Sequence, residues 1–348
     1  MAARVIVDLD ALVWNYRLFT DKAAGHVGAV VKANAYGLGY AAVVEALIDA
    51  GCTDFFVATL NEGLSVRSLS EQIRIFVFEG VPVGKVDQFA QASLIPVLNS
   101  VAQLERFRGC ASPAAVHVDT GMMRLGFDPS LDPSALDGVD VVLLMSHFAL
   151  ADRPDDPGNS QTIERIGELR SRFKGIPASV GNSAAILAGL EMPGDLGRPG
   201  IGLYGGNPFS LQVNPMRCVA TLEGSVLQVR EVPAGTPVGY AASYVTDKPT
   251  HLATVGIGYA DGLPRSLSNS GSGFVSGQRV PIVGRISMDL TMVDVTGVSV
   301  SEGDWVEFFG ANITLDELER ERGLFSYEML SRLGNRVERI YIGGDSAT

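Results

Sequence analysis

Lys32, Arg124, His147, Ser183 and Arg198 are the side chains of the N-terminal part best suited to chemistry, and each stands at or just after a short apolar run. A lysine that closes a buried strand loses the hydration its ammonium needs, so burial lowers its pKa. The free amine is then a nucleophile able to form a Schiff base. Ser183 stands where a run meets a helix-competent stretch and is a candidate N-cap. The same helix start can take a phosphate through backbone N–H groups and the hydroxyl, with Gly200 and Ile201 supplying a second set of donors. Plainer readings stand beside these: Lys32 snorkelling to a rim, Ser183 as an ordinary cap, His147 as a hydrogen-bonded structural histidine.

Such residues need a frame that brings strand ends together. Apolar runs at 27–32, 55–59, 73–78, 94–98, 115–119, 139–147 and 178–181, with a weaker one at 196–204, read as strands. Helix-competent segments such as 41–50, 161–173 and 183–190 lie between them. Strand–helix alternation predicts parallel pairing, and near-continuous apolar strands suit a sheet buried on both faces. Eight strands in this span predict a (β/α)8 TIM barrel, whose chemistry sits where the strands end. After about residue 217 the runs at 224–229, 253–256, 280–283, 291–295 and 305–309 are separated by Gly, Pro and Asn turn signals. That texture predicts a mostly-β domain. One late helix is expected at 315–322 with Thr314 as its N-cap, and the expected division is 1–216 and 217–348.

The totals narrow the function classes. With 348 residues, 46% apolar and 19% charged, the chain reads as a soluble globular protein of more than one unit. A net charge of −12 argues against a nucleic-acid or anionic-membrane partner. The longest apolar runs are strand-length, and the first residues show no secretory pattern, so a cytoplasmic location is expected. Cys52, Cys110 and Cys218 are scattered and offer neither a metal spacing nor a disulfide framework.

Six ordered blocks from near residue 5 to about 341 resemble the alanine racemase family. The first, Val30-Val31-Lys32-Ala33-Asn34-Ala35-Tyr36-Gly37-Leu38-Gly39, looks like the family's cofactor-lysine signature. His117-Val118-Asp119-Thr120-Gly121-Met122-Met123-Arg124 and Arg198-Pro199-Gly200-Ile201-Gly202-Leu203-Tyr204 follow. Then come Gly258-Tyr259-Ala260-Asp261-Gly262, Gly284-Arg285-Ile286-Ser287-Met288-Asp289 and the closing Ser326-Tyr327 to Arg339 block. The resemblance implies a pyridoxal 5'-phosphate enzyme and a head-to-tail homodimer, each barrel mouth being closed by the partner's β-domain. It implies Lys32 as the Schiff-base lysine and Tyr240, nineteen residues before Tyr259, as the second base. Tyr36, Ser183, Gly200, Ile201 and Tyr327 look like phosphate contacts, and Arg198, backed by His147, like the partner of the pyridine nitrogen. Arg124 and the backbone of Met288 look like carboxylate contacts. One position departs: many relatives carry a lysine that becomes carbamylated and braces the arginine, whereas this chain has His117. Arg124 is therefore expected to be oriented by a bound anion or another side chain.

Racemisation requires an α-proton to leave one face and return on the other, and two acid–base groups on opposite sides are the direct solution. The resemblance gives those roles to Lys32 and the partner's Tyr240, with alanine as substrate and D-alanine for peptidoglycan as the product's use. Tyr327 and Tyr259 would crowd the side-chain pocket. A pocket of this kind rejects one extra heavy atom by only about 1–3 kcal/mol, so a broad-specificity or serine racemase is the nearest rival. A decarboxylase of similar fold would carry an acid in place of Arg198 and a cysteine-led motif in place of Ser287-Met288. A barrel that only carries the cofactor would lack the second domain.

Overall fold

The computed structural model describes residues 2–190 and 195–344, so the ends of both expected domains, 1 and 345–348, lie outside the described residues. Seven parallel strands run in chain order: Ala29–Val30, Asp54–Val57, Arg74–Val77, Ile95–Leu98, Pro113–His117, Asp140–Met145 and Ala178–Ser179. They are short and mostly buried, as strands covered on both faces must be, with exposure confined to the ends of Arg74–Val77 and Pro113–His117 and the first half of Asp140–Met145. The eighth, Leu196–Gly197, pairs in parallel with His26–Val27, which continues into the first strand. On its other side Arg198 N donates to Gly181 O at 2.8 Å and closes the ring. The fold class is therefore a TIM-type barrel followed by a mostly-β unit. Strand eight is shorter than the expected 196–204, because Pro199 has no N–H to pair and the chain turns into the 3₁₀ segment Ile201–Tyr204.

The second unit is built around Ala220–Val232. Its first half pairs antiparallel with Ala3–Asp8 and Trp305–Phe309, and its second half with Thr250–Val255, after a register shift at Val226/Gln228. Thr291–Asp294 extends the second branch, while Ser272–Val275 and Gln278–Pro281 form a hairpin at the edge of the first. The glycines at 271–273 read as turn punctuation in the sequence. Gly273 instead lies within a strand, where a Cβ would sit 2.5 Å from Val306 Cγ1, so the residue is set by close packing. Division by chain order also needs amendment. Ala3–Asp8 belongs to the second sheet, between Ala220–Val232 and Glu338–Ile342, and Asp8 then caps the helix Leu9–Lys22 that leads into the barrel. At the exit of the barrel, Asn15 on that helix donates to Leu203 O and Arg217 O and accepts from Arg217 N at 2.8 Å. One continuous apolar core spans both units.

Candidate active site

The barrel mouth holds a cavity of about 630 Å³ lined by Lys32, Tyr36, Arg124, His147, Ser183, Arg198, Gly200, Ile201 and Tyr327. Lys32 leaves the end of the first strand on a left-handed turn: Ala33, Asn34, Ala35 and Tyr36 have φ of 54°, 56°, 53° and 53°. Each such non-glycine residue costs about 1–2 kcal/mol, so the surroundings must hold the turn. Glu62 does much of this. Its carboxylate accepts from Ala33 N at 2.7 Å, Ala58 N at 2.7 Å and Thr59 N at 3.2 Å. Asn34 Oδ1 accepts from Tyr40 N, Arg339 donates twice to Gly37 O, and Tyr341 donates its hydroxyl to Leu38 O. Burial, reinforced by the Arg124 guanidinium, pulls the Lys32 amine below the ordinary lysine range, and Glu62 partly opposes this. A neutral amine is the form that attacks a carbonyl.

Arg198 is 4% exposed and is fixed from several sides. Nη1 donates to Ser179 Oγ at 2.5 Å, and Nη2 donates to Ser146 O at 2.7 Å and faces His147 Nδ1 at 3.3 Å. Arginine only donates, so His147 accepts at Nδ1 and carries its proton on Nε2. Burial and the nearby guanidinium hold His147 well below the usual imidazole range. His117 is oriented by Asn99, whose amide nitrogen donates to Phe78 O and Val97 O. The Asn99 oxygen therefore accepts from His117 Nδ1–H at 2.9 Å. Burial, then Arg198, push His117 down to about 4, so it is neutral too. Arg124 reaches the cavity from an arch rooted on His117, where Phe127 N donates to His117 O at 2.8 Å.

The far end of the cavity is a donor set. Tyr36 stacks on Tyr204 with ring centroids 4.6 Å apart and tilts against Tyr327 at 6.2 Å. Burial raises the Tyr36 phenol and pushes Tyr327 up to about 12, so both stay protonated and can donate. Ser183 is not the N-cap of its short helix. Asn182 takes that role, accepting from Ala185 N at 3.0 Å, and Ser183 at the next position accepts at its hydroxyl oxygen from Gly200 N at 2.9 Å and Gly202 N at 3.3 Å, which leaves its proton to donate. A Cβ on Gly200 would lie 2.4 Å from the Tyr36 hydroxyl, so glycine keeps this corner open. Hydroxyls and backbone N–H groups converging on one corner suit a phosphate, and an amine stands across the same cavity. Pyridoxal phosphate, an aldehyde bearing a phosphate, fits that set.

Three expected residues are elsewhere. Tyr240, Tyr259 and Met288 sit on the second unit, 71%, 44% and 53% exposed, and none lines this cavity. Residues missed by the sequence reading are Glu62, Asn99 and Ser179. The capping box Thr59-Leu60-Asn61-Glu62 marks the first, and Asn99 directly follows the fourth strand. Nothing in the sequence distinguishes Ser179.

A barrel with an amine at the end of its first strand, a clamped guanidinium and a phosphate-type donor set defines a pyridoxal-phosphate enzyme of the barrel type. Residues 7–208 match the alanine racemase N-terminal domain and residues 219–341 its C-terminal domain. The alanine racemase of Rhodospirillum rubrum is 44% identical over 98% of this chain and 96% of its own length. That of Rhizobium meliloti is 40% identical over 99% and 97%. The crystal structure of alanine racemase from Bartonella henselae with covalently bound pyridoxal phosphate has a TM-score of 0.92 and 36% identity, covering 98% of this chain and 100% of that one. The chain belongs to the alanine racemase family. It is an amino-acid racemase that works with pyridoxal phosphate and acts on alanine. Among the described residues no helix is long and apolar enough to cross a membrane.

Proposed function

We propose that this chain interconverts L-alanine and D-alanine with two proton-carrying groups, Lys32 and the partner's Tyr240, in a homodimer whose sites are shared between chains. In this reading it supplies D-alanine for peptidoglycan in the cytoplasm. The observation that carries the reading is the separation of the two groups: Lys32 lines the barrel cavity, whereas Tyr240 is 71% exposed on the other unit. A phenol so placed serves its reaction only from another copy, in the head-to-tail homodimer proposed here.

Pyridoxal phosphate, when bound, supplies the electron sink that makes an amino acid's α-proton removable near neutral pH. Tyr36, Ser183, Gly200, Ile201 and Tyr327 would hold its phosphate, and Arg198, steadied by Ser179, Ser146 and His147, its ring nitrogen. Arginine keeps its protons, so Arg198 donates to that nitrogen without protonating it. Lys32 Nζ, held toward its neutral form by burial, takes or returns the proton on one face. The partner's Tyr240 Oη does so on the other. Arg124 and the partner's Met288 backbone hold the substrate carboxylate, while Tyr327 and the partner's Tyr259 limit its side chain to about a methyl group.

Subunit mixing tests this. Lys32→Ala and Tyr240→Phe chains are each inactive alone in L-to-D conversion, but a mixture allowed to exchange regains roughly a quarter of wild-type activity by random pairing. A mixture that exchanges chains, shown by a mass tag, yet stays inactive would overturn the shared site. Rescue of a D-alanine auxotroph by this chain checks the supply role, and failure of an expressed, active chain to rescue would refute it.

A further inference from the structure

One guanidinium joins the two loops that carry Tyr259 and Met288. Arg336 Nε donates to Asp261 Oδ1 at 2.6 Å, and Nη2 donates to Asp261 Oδ2 at 3.1 Å and to Met288 O at 3.3 Å. Nη1 lies 2.7 Å from Asp289 Oδ1. The buried Asp261 carboxylate also accepts from Gly258 N at 2.8 Å. Backbone bonds add to the same assembly: Tyr259 N to Ser287 O at 3.1 Å, Ala260 N to Met288 O at 3.0 Å, and Gly334 N to Asp261 O at 3.1 Å. The loops touch so closely that a Cβ on Gly258 would lie 2.4 Å from Met288 O.

The Arg336–Asp289 pair itself is poorly placed to stabilise the fold. The Arg336 and Asp289 side chains are 49% and 58% exposed, and exposed pairs contribute little. Their geometry is better suited to setting shape. A planar fork can grip Asp261 bidentately while reaching Asp289 and the Met288 carbonyl, which a lysine's single ammonium cannot do. What the assembly presents outward is Tyr259 and the backbone at Met288, held before any partner arrives. Arg336 does not line its own chain's Lys32 cavity.

We propose that Arg336 is a positioning residue of the racemase, fixing loops 258–262 and 287–289 in the shape that meets substrate in the partner's barrel. This rests on the shared-site reading above. Its effect therefore belongs to the neighbouring site and not to its own.

Kinetics of the holoenzyme test it. Arg336→Met raises KM for alanine about tenfold or more with a smaller change in kcat, and Arg336→Lys recovers only part of the loss. Asp289→Asn, which leaves the Asp261 grip intact, raises KM by a smaller factor and serves if Arg336→Met does not fold. Mixing either variant with a large excess of Lys32→Ala chains, so that nearly every variant chain sits in a heterodimer, is decisive. The one competent site then pairs a variant barrel with an unaltered loop assembly, and its KM returns to the wild-type value. A KM that stays high in the mixture, or that never rises in the variants, overturns the proposal. Silence of the Lys32→Ala and Tyr240→Phe mixture would instead bring down the shared site beneath it.

Discussion

Burial sets the charge of the side chains around Lys32 before any cofactor arrives. His117 titrates near 4 in the folded chain and near 6.5 when exposed. Between those values the unfolded chain holds the proton and the folded chain does not, so this residue makes stability fall as pH drops through 6.5, levelling off below about 4. The difference amounts to about 3 kcal/mol. His117→Gln should remove it, so the variant gains about that much on wild type between neutral and pH 4 in urea titrations. Parallel curves for the two proteins would show that the imidazole is not desolvated as described. The residues legible in the sequence were those whose type is anomalous in place, such as Lys32 and Arg198 closing apolar strands. Asn99 and Ser179 were not, because a small polar residue at a strand end is commonplace until its partner is seen. Ser183 was given the cap because Asn and Ser are nearly equal caps, and only geometry shows which of two neighbours faces the helix.

The element that carries Lys32 is strained by design of its sequence: Ala33-Asn34-Ala35-Tyr36 adopts a left-handed turn with no glycine inside it. Ala33 is exposed and loses no packing on truncation. Glycine is at ease at positive φ, against which its extra freedom in the unfolded chain counts about 0.4–1 kcal/mol. Ala33→Gly is therefore expected to stabilise the protein by about 0.5–1 kcal/mol, read as a higher urea midpoint at unchanged slope. A lower midpoint would mean the turn is relaxed. No periodicity announces such a turn, and it was absent from the sequence reading for that reason. The barrel strands were legible because burial on both faces leaves a continuous apolar signal. Ala3–Asp8 and Glu338–Ile342 were not assigned, since each depends on a neighbour distant in the chain.

On the scale of the molecule, the barrel is an insertion into a hairpin. Ala3–Asp8 pairs antiparallel with Ala220–Val232, and Asp8 N donates to Val219 O at 2.9 Å, where a short turn would otherwise be. Ala3, Val5 and Val7 are buried there. Chain 217–344 alone leaves that surface and two rows of backbone groups without partners, and it is expected to aggregate, as light scattering would report. Joining residues 2–8 through a short glycine-containing turn to Val219 should give a fragment with strand circular dichroism and a cooperative melt. A well-folded 217–344 without the added strand would contradict this. The same interleaving has a consequence during synthesis. Ala3–Asp8 leaves the ribosome before the barrel does, yet residues 9–219 must be translated before its antiparallel neighbour begins to emerge, an interval of roughly 10–40 s. For that time an apolar, unpaired strand hangs beside a barrel that is assembling, and whatever shields it from other nascent chains governs how much protein a cell recovers.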